Sequence, residues 1–245
     1  MSEIFAVADT HFDHANCIIH DNRPYIRDGD LDSRKKWVSE AIKQARCDEM
    51  NADMAKTWND TISKDDTVII VGDFAWHNHR KWINELNGKK IMIIGSHDKM
   101  PHDALELFVP DWENPLEMKP AETPEDVWLA EEEERLSWIN TIKTLHQFRE
   151  VHWLLNREVN KQYICFCHWP MRTWQGKPHG SWAISGHCHG RLKESLPNES
   201  GGGLLLDVGW AVWKRPVHFE EIRSEMKRKL YMLKGKYYSE SEIIN

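Results

Sequence analysis

Short apolar runs that stop at small or polar residues punctuate the chain and predict buried strands. Ile4-Phe5-Ala6-Val7-Ala8 runs into Asp9, Val68-Ile69-Ile70-Val71 into Gly72-Asp73, Ile91-Met92-Ile93-Ile94 into Gly95, and Tyr163-Ile164-Cys165-Phe166-Cys167 into His168. Strands this apolar are covered on both faces, and open α/β sheets place their ligand sites at the carboxyl ends of such strands. Between the runs the period changes. Trp37, Val38, Ala41, Ala45, Met50, Met54 and Trp58 recur at helical or nearly helical intervals, which predicts a helix over 33–62. A strand over 67–71 follows, then a helix from about His79 to Leu86, a turn at Asn87-Gly88 and the strand ending at Gly95. Farther on, 151–158 and 161–167 read as a hairpin about Asn160. The stretch from Pro101 to Arg149 follows neither period. It carries Pro101, Pro110, Pro115 and Pro120, then a helix starting near Thr123 with Pro124 at its first position, and the acidic run Glu131 to Glu134. It reads as a helical insertion at about 101–149 within a single domain over 1–245, placed to cap a site or build an oligomer interface.

The polar ends of the runs turn a scaffold into chemistry. Asp9-Thr10-His11, Gly72-Asp73, Gly95-Ser96-His97-Asp98, His168 and Gly186-His187-Cys188-His189-Gly190 gather carboxylates and imidazoles at one sheet edge. Any one of these histidines alone is an ordinary surface or core residue; the set in this order is not. A single zinc or magnesium ion needs three or four protein groups. Asp9, Asp73, His11, His168, His187 and His189, with the Ser96 hydroxyl as a seventh donor, are enough for two cations sharing a carboxylate. Such two-metal sites activate water and clamp both oxygens of an in-line displacement at phosphorus. Mixed Asp/His ligation suits manganese first, with iron(II), zinc, nickel or magnesium as alternatives, and suits calcium poorly. The chemistry indicated is hydrolysis of a phosphate ester.

Taken together, these motifs resemble the calcineurin-like metallophosphoesterase superfamily. The likeness is greatest to its small bacterial and phage branch, whose members begin with a segment like Asp9-Thr10-His11-Phe12-Asp13-His14. Asn22-Arg23-Pro24-Tyr25, Leu86-Asn87-Gly88-Lys89-Lys90, His168-Trp169-Pro170-Met171, and Asp207-Val208-Gly209 followed by Arg215-Pro216-Val217 extend the match over nearly the whole chain. The resemblance implies an α/β fold of two β-sheets packed face to face, with helices on both outer faces in four layers, αββα. It implies that Asp9, His11, Asp73 and His189 hold one metal ion and that Asp73 bridges to a second, bound also by His168 and His187. A hydroxide bridging the two ions would attack phosphorus. His97 would contact the phosphate and protonate or stabilise the leaving oxygen, and Asp98 would orient the loop or the imidazole. Two positions depart from the family. Its asparagine ligand of the second metal is Ser96 here, shorter and a poorer donor. The aspartate that supports the histidine in related phosphatases, three residues past the bridging one, is Trp76 here.

Composition narrows the setting. A chain of 245 residues, 40% of them hydrophobic, accommodates one α/β domain with a substantial core. No apolar run approaches a membrane span, and the first strand begins too early for a signal peptide. Five scattered cysteines read as reduced thiols, so a cytoplasmic location is expected. A net charge of −7 argues against bulk nucleic-acid binding, although a nuclease stays compatible. Arg23 and Arg172 are the candidate substrate contacts, because a planar fork matches phosphate oxygens. Trp169, Trp174 or Trp182 is a candidate wall for a planar leaving group, against the plainer reading of tryptophans as core anchors. The expected partner is a phosphate-ester substrate, small or nucleotide-like, with oligomerisation open. Three functions follow: a metal-dependent phosphohydrolase, a nuclease of the same superfamily, or a catalytically impaired metal-binding scaffold marked by Ser96.

Overall fold

Strand β1 (Ile4–Val7) pairs in parallel with β2 (Thr67–Val71), β2 with β3 (Lys89–Ile93), and β3 with β4 (Glu150–His152). The short β9 (Val217–His218) runs antiparallel to β1 and sets the order β4-β3-β2-β1-β9. A second sheet has the order β5-β6-β7-β8, built from β5 (Leu154–Val159), β6 (Gln162–Cys167), β7 (Trp182–Ser185) and β8 (Leu204–Asp207). Its first pair is antiparallel and the others are parallel. The computed structural model describes residues 2–98, 147–191 and 204–237, with side chains through 231. The expected insertion, its helix near Thr123 and its acidic run fall outside the described residues up to 146.

Side chains of the first sheet split by the two-residue period. Phe5, Val7, Val68, Ile70, Met92 and Ile94 pack with Met50, Met54 and Trp58 of α2 (Glu40–Thr61) and with Trp82 and Ile83 of α3 (His79–Glu85). Ile18 of the one-turn α1 (Asn16–His20) joins that layer. The alternate residues, Ala6, Ala8, Ile69, Val71, Ile91 and Ile93, meet Leu155, Ile164, Phe166, Ile184 and Leu206 of the second sheet. Both faces of the first sheet are therefore covered, as the uninterrupted apolar runs require. A short α4 (Trp210–Trp213) leads to β9 and then to α5 (Phe219–Tyr237), which adds Ile222 and Met226 to the core between the sheets. The architecture is α/β: two mixed sheets flanked by helices.

Two elements differ from the sequence reading. Helix α2 begins at Glu40, not Ser33, because Ser39 is extended (φ −156°, ψ 155°) and its hydroxyl accepts from Ile42 N at 3.2 Å, an N-cap. Residues 27–38 form a loop in which the Asp32 carboxylate takes Arg34 N and Lys36 N, and Asp30 takes Arg27 N. Trp37 and Val38 keep the helical spacing without the helix. The expected hairpin also divides. Val151 lies in β4 of the first sheet, and the chain crosses to the second sheet before β5. The hairpin proper is β5–β6, turned by Asn160 and Lys161, both left-handed at φ 47° and 66°.

The two sheets are tied at the end of β1. Ala8 N donates to Val208 O at 3.1 Å, and Trp210 N donates to Ala8 O at 2.8 Å. This link sits at the end of β1, one residue before Asp9.

Candidate metal centre

Loops leaving parallel strands supply every predicted ligand. Asp9 and His11 follow β1, Asp73 follows β2, Ser96 and His97 follow β3, His168 follows β6, and His187 and His189 follow β7. Five of these residues have left-handed backbones: Asp9 (φ 53°), His11 (50°), Asp73 (53°), His187 (68°) and His189 (50°). Such conformations are costly for residues with a Cβ and collect at functional sites, where the surroundings over-determine them. Here the surroundings are visible. Asp9 N bonds Gly72 O and His11 N bonds Asp73 O, each at 3.0 Å, while His187 N bonds both oxygens of Asp9 at 3.0 Å. The adjoining glycines make room for the carboxylates. A Cβ on Gly95 would stand 2.3 Å from Asp73 N and Oδ1, and one on Gly186 would stand 2.6 Å from Asp9 Oδ2.

Six of the predicted ligands form two trios. Ligand atoms of Asp9, His11 and His189 lie within 4.8 Å of one another, and so do those of Asp73, His168 and His187. Asp73 touches both groups: its Oδ2 is 3.6 Å from His11 Nε2 and 3.4 Å from His168 Nε2. Ser96 Oγ stands 3.1 and 3.3 Å from the Asp73 oxygens and 3.5 Å from His168 Nε2. The serine therefore reaches the centre as a hydrogen-bond donor to the shared carboxylate.

The donor set fits divalent cations. Asp9, Asp73, His11 and His168 are buried. Burial pushes the Asp9 carboxyl up to about 7 against the pull of His189 and His168, and burial pushes His11 down to about 3. Burial also disfavours the charged Asp73, but a hydrogen bond from His168 and the charges of His168 and His11 outweigh it and hold this carboxyl below its usual range. Likewise His168 and His189 lie above the ordinary histidine value, their carboxylate partners overcoming burial. Oxygen and imidazole donors packed away from water, several of them carrying protons that a cation would displace, suit such an ion. One consequence is measurable. At pH 6 the metal-free site holds protons on Asp9, His168 and His189, so binding of a divalent cation would release them. Apparent affinity then rises with pH through about 7 and flattens above it as far as Asp9 is concerned. Calorimetric titration in buffers of different ionisation enthalpy reads this, and a heat independent of buffer at pH 6 would contradict it.

Beneath the ligands lies a supporting layer. His168 Nδ1 lies 3.0 Å from Val71 O, and His189 Nδ1 lies 2.8 Å from Asp21 Oδ1. Asp21 accepts from Arg23 Nη2 at 3.0 Å, while the same guanidinium bonds Asp9 O at 3.1 Å and Thr10 O at 3.0 Å. Asp207, at the end of β8, takes Gly190 N at 3.0 Å and Gly209 N at 2.7 Å. Second partners of this kind fix the ring orientation of ligand histidines. Sequence reasoning missed Asp21 and named Asp207 without giving it a role. The signal was their position at the head of the stretches containing Arg23 and Gly209.

One expectation needs correction, that for Arg23, and the two alternatives for Asp98 narrow to one. Arg23 is not available to phosphate, because it is 3% exposed and its guanidinium is engaged beneath the Asp9–His11 loop. Asp98 does not reach the His97 ring. Its oxygens accept from Asp73 N (2.7 Å), Gly95 N (2.8 Å) and Phe74 N (2.9 Å), with His79 Nε2 at 3.5 Å, so it shapes the loops that present Asp73. His97 itself donates its backbone N–H to Asp73 Oδ1 at 2.8 Å, and its half-buried ring lies between Trp76 and His11. Arg172 is exposed on the loop after His168. Of the tryptophans, Trp174 bonds Ser181 O and carries Lys177 over its ring, and Trp182 packs near Phe219. Trp169 alone of the three meets the centre, 37% exposed and edge-on to His168 at 5.1 Å.

The chain is similar over 104 residues, 31% identical, to an uncharacterized protein of Methanocaldococcus jannaschii, covering 40% of this chain and 48% of that one. It is 35% identical over 74 residues to the Gene 66 protein of Mycobacterium phage L5, covering 26% of this chain and 36% of that one. The matches thus span less than half the length of either curated relative. A crystal structure of a protein of unknown function from Aquifex aeolicus shares the fold, with a TM-score of 0.50 over 91% of this chain and 99% of that chain, at 17% identity. Among the described residues no helix is long and apolar enough to cross a membrane. The family model for calcineurin-like phosphoesterases matches residues 3–191, and the chain belongs to that family.

Proposed function

We propose that the protein is a dinuclear metal-dependent phosphohydrolase cleaving a small phosphodiester or phosphomonoester, nucleotide-like substrates included, with manganese as the first candidate ion. The observation that carries this reading is the Asp73 carboxylate set between two ligand trios, within 3.6 Å of an imidazole from each. Asp9, His11 and His189 would hold one ion and His168 and His187 the other, with Asp73 between. Bound there, the ions supply positive charge and lower the pKa of a coordinated water.

The chain's own groups do the rest. Asp98 and the His97 N–H fix Asp73. The His97 imidazole, at the rim, protonates or stabilises the leaving oxygen. Arg172 is exposed beyond His168 and offers a planar fork to the phosphoryl oxygens. Asp21 and Arg23 position His189 and the Asp9 loop rather than touching substrate.

The test is turnover of bis-p-nitrophenyl phosphate and p-nitrophenyl phosphate after manganese loading and again after chelation. Metal-dependent hydrolysis lost in His97→Ala supports the reading, and the preferred substrate separates diesterase from monoesterase. Full activity in chelator defeats it.

A second reading, a catalytically impaired metal-binding scaffold, draws on Ser96, whose hydroxyl bonds the shared carboxylate where the family places an amide ligand. Ser96→Asn separates the two. If the serine only weakens a competent centre, turnover rises by about 10-fold or more, the scale on which ligand-sphere changes act. A scaffold stays inert.

A further inference from the structure

The residues just past His11 hold a second ligand cluster that the proposed reaction does not use. Cys17 in α1 is 3% exposed, and His14 Nδ1 lies 2.9 Å from its Sγ. Ligand atoms of His11, His14 and Cys17 all fall within 4.8 Å of one another. The His14 ring is held by stacking on Trp76, with centroids 4.1 Å apart and planes within 13°. An independent feature lies on His11. Its Nε2 faces Asp73, but its Nδ1 is buried and has no hydrogen-bond partner among the described residues, in a side chain only 2% exposed. A ligand histidine almost always gives its second nitrogen to a carboxylate, carbonyl or water. Here no carboxylate or carbonyl among the described residues takes that nitrogen, and an imidazole and a thiol stand nearby.

We propose that His11, His14 and Cys17 form a separate site for a thiophilic divalent cation of the zinc class, and that this site competes with the neighbouring centre for His11. Two imidazoles and a thiolate are a zinc donor set, and sulfur selects zinc, cobalt(II) or cadmium over manganese and magnesium. On binding, the Cys17 thiol gives its proton to solvent as the sulfur lone pair goes to the ion. A cation seated on this side draws on a ring that the Asp9–His189 trio also needs. Filling the site therefore loosens the ion held beside Asp9.

Cobalt(II) titrated into the metal-free full chain is the first probe. A near-ultraviolet thiolate-to-cobalt charge-transfer band is expected, lost in both Cys17→Ala and Cys17→Ser and kept in Cys188→Ala, a residue between His187 and His189 in the sequence. A band that survives both Cys17 substitutions, or no band in the parent chain, overturns the site. The second probe is zinc added to the manganese-loaded chain, read as the paramagnetic resonance signal of released manganese. Zinc is expected to release manganese at concentrations about tenfold lower in the parent than in Cys17→Ala. Equal thresholds overturn the competition. Neither probe needs turnover, so an inactive chain with a Cys17-dependent band counts against the phosphohydrolase reading and for this site.

Discussion

Asp73→Asn leaves a folded protein that neither retains divalent ions nor turns over a phosphate ester. The amide keeps one acceptor oxygen, so the bond from His97 N survives and the loop after β2 holds its course. What the amide loses is charge. Asp73 lies within 3.6 Å of His11 Nε2 and His168 Nε2, and it is the side chain that joins the two trios. Replacing that charge costs both halves of the centre at once. Turnover is expected to fall on the order of 100-fold or more, beyond the effect of altering an outer-sphere partner. Bound metal per chain by elemental analysis, circular dichroism and bis-p-nitrophenyl phosphate hydrolysis settle it together. A variant that keeps its metal and its activity would remove Asp73 from the centre.

That the candidate ligands converge was legible because four of their five clusters stand at the end of an apolar run. In a parallel sheet, buried strands must be apolar on both faces, and their ends must converge at one edge; Val68 to Val71 leading to Asp73 states both facts in one line of sequence. Strands β1, β2, β3 and β6, the α3 segment and the β5–β6 turn were legible for the same local reasons, while β7, β8 and β9 were not read from the sequence. Other features were not, because they depend on contacts distant in sequence. The periodicity of Trp37 and Val38 carries no sign that Asp30 and Asp32 fold their segment into a loop or that Ser39 is the cap. Val151 reads as hairpin because a strand that changes sheet keeps its alternation. Asp98 was read as orienting either the loop or the imidazole and serves the loop, whereas Arg23 was assigned the wrong partner. A charged side chain next to a catalytic motif looks the same in sequence whether it faces the substrate or supports the loop from below.

Arg23 offers the sharper test of that distinction. Arg23→Ala is expected to destabilise the protein by about 3–5 kcal/mol, the cost of removing one member of a buried ion pair. Both partners are 1% exposed at the side chain, and the lost guanidinium would leave Asp21 charged without its arginine, and two carbonyls, Asp9 O and Thr10 O, without their donor. Asp21 is driven down to about 2, since the hydrogen bond from His189 and the Arg23 charge outweigh burial. That stabilisation is present above the ordinary carboxyl value of 3.8 and disappears as pH falls through 2, so the deficit of the variant is largest near neutrality and shrinks in acid. For a chain of this length the melting temperature should drop by roughly 10 °C at pH 7. Arg172→Ala supplies the contrast: an exposed arginine whose removal leaves the melting temperature within a degree or so while raising KM for a phosphate ester. The opposite pattern, a stable Arg23 variant with impaired substrate binding, would return Arg23 to the substrate. It would also mean that the loop carrying Asp9 and His11 is held by something other than the guanidinium beneath it.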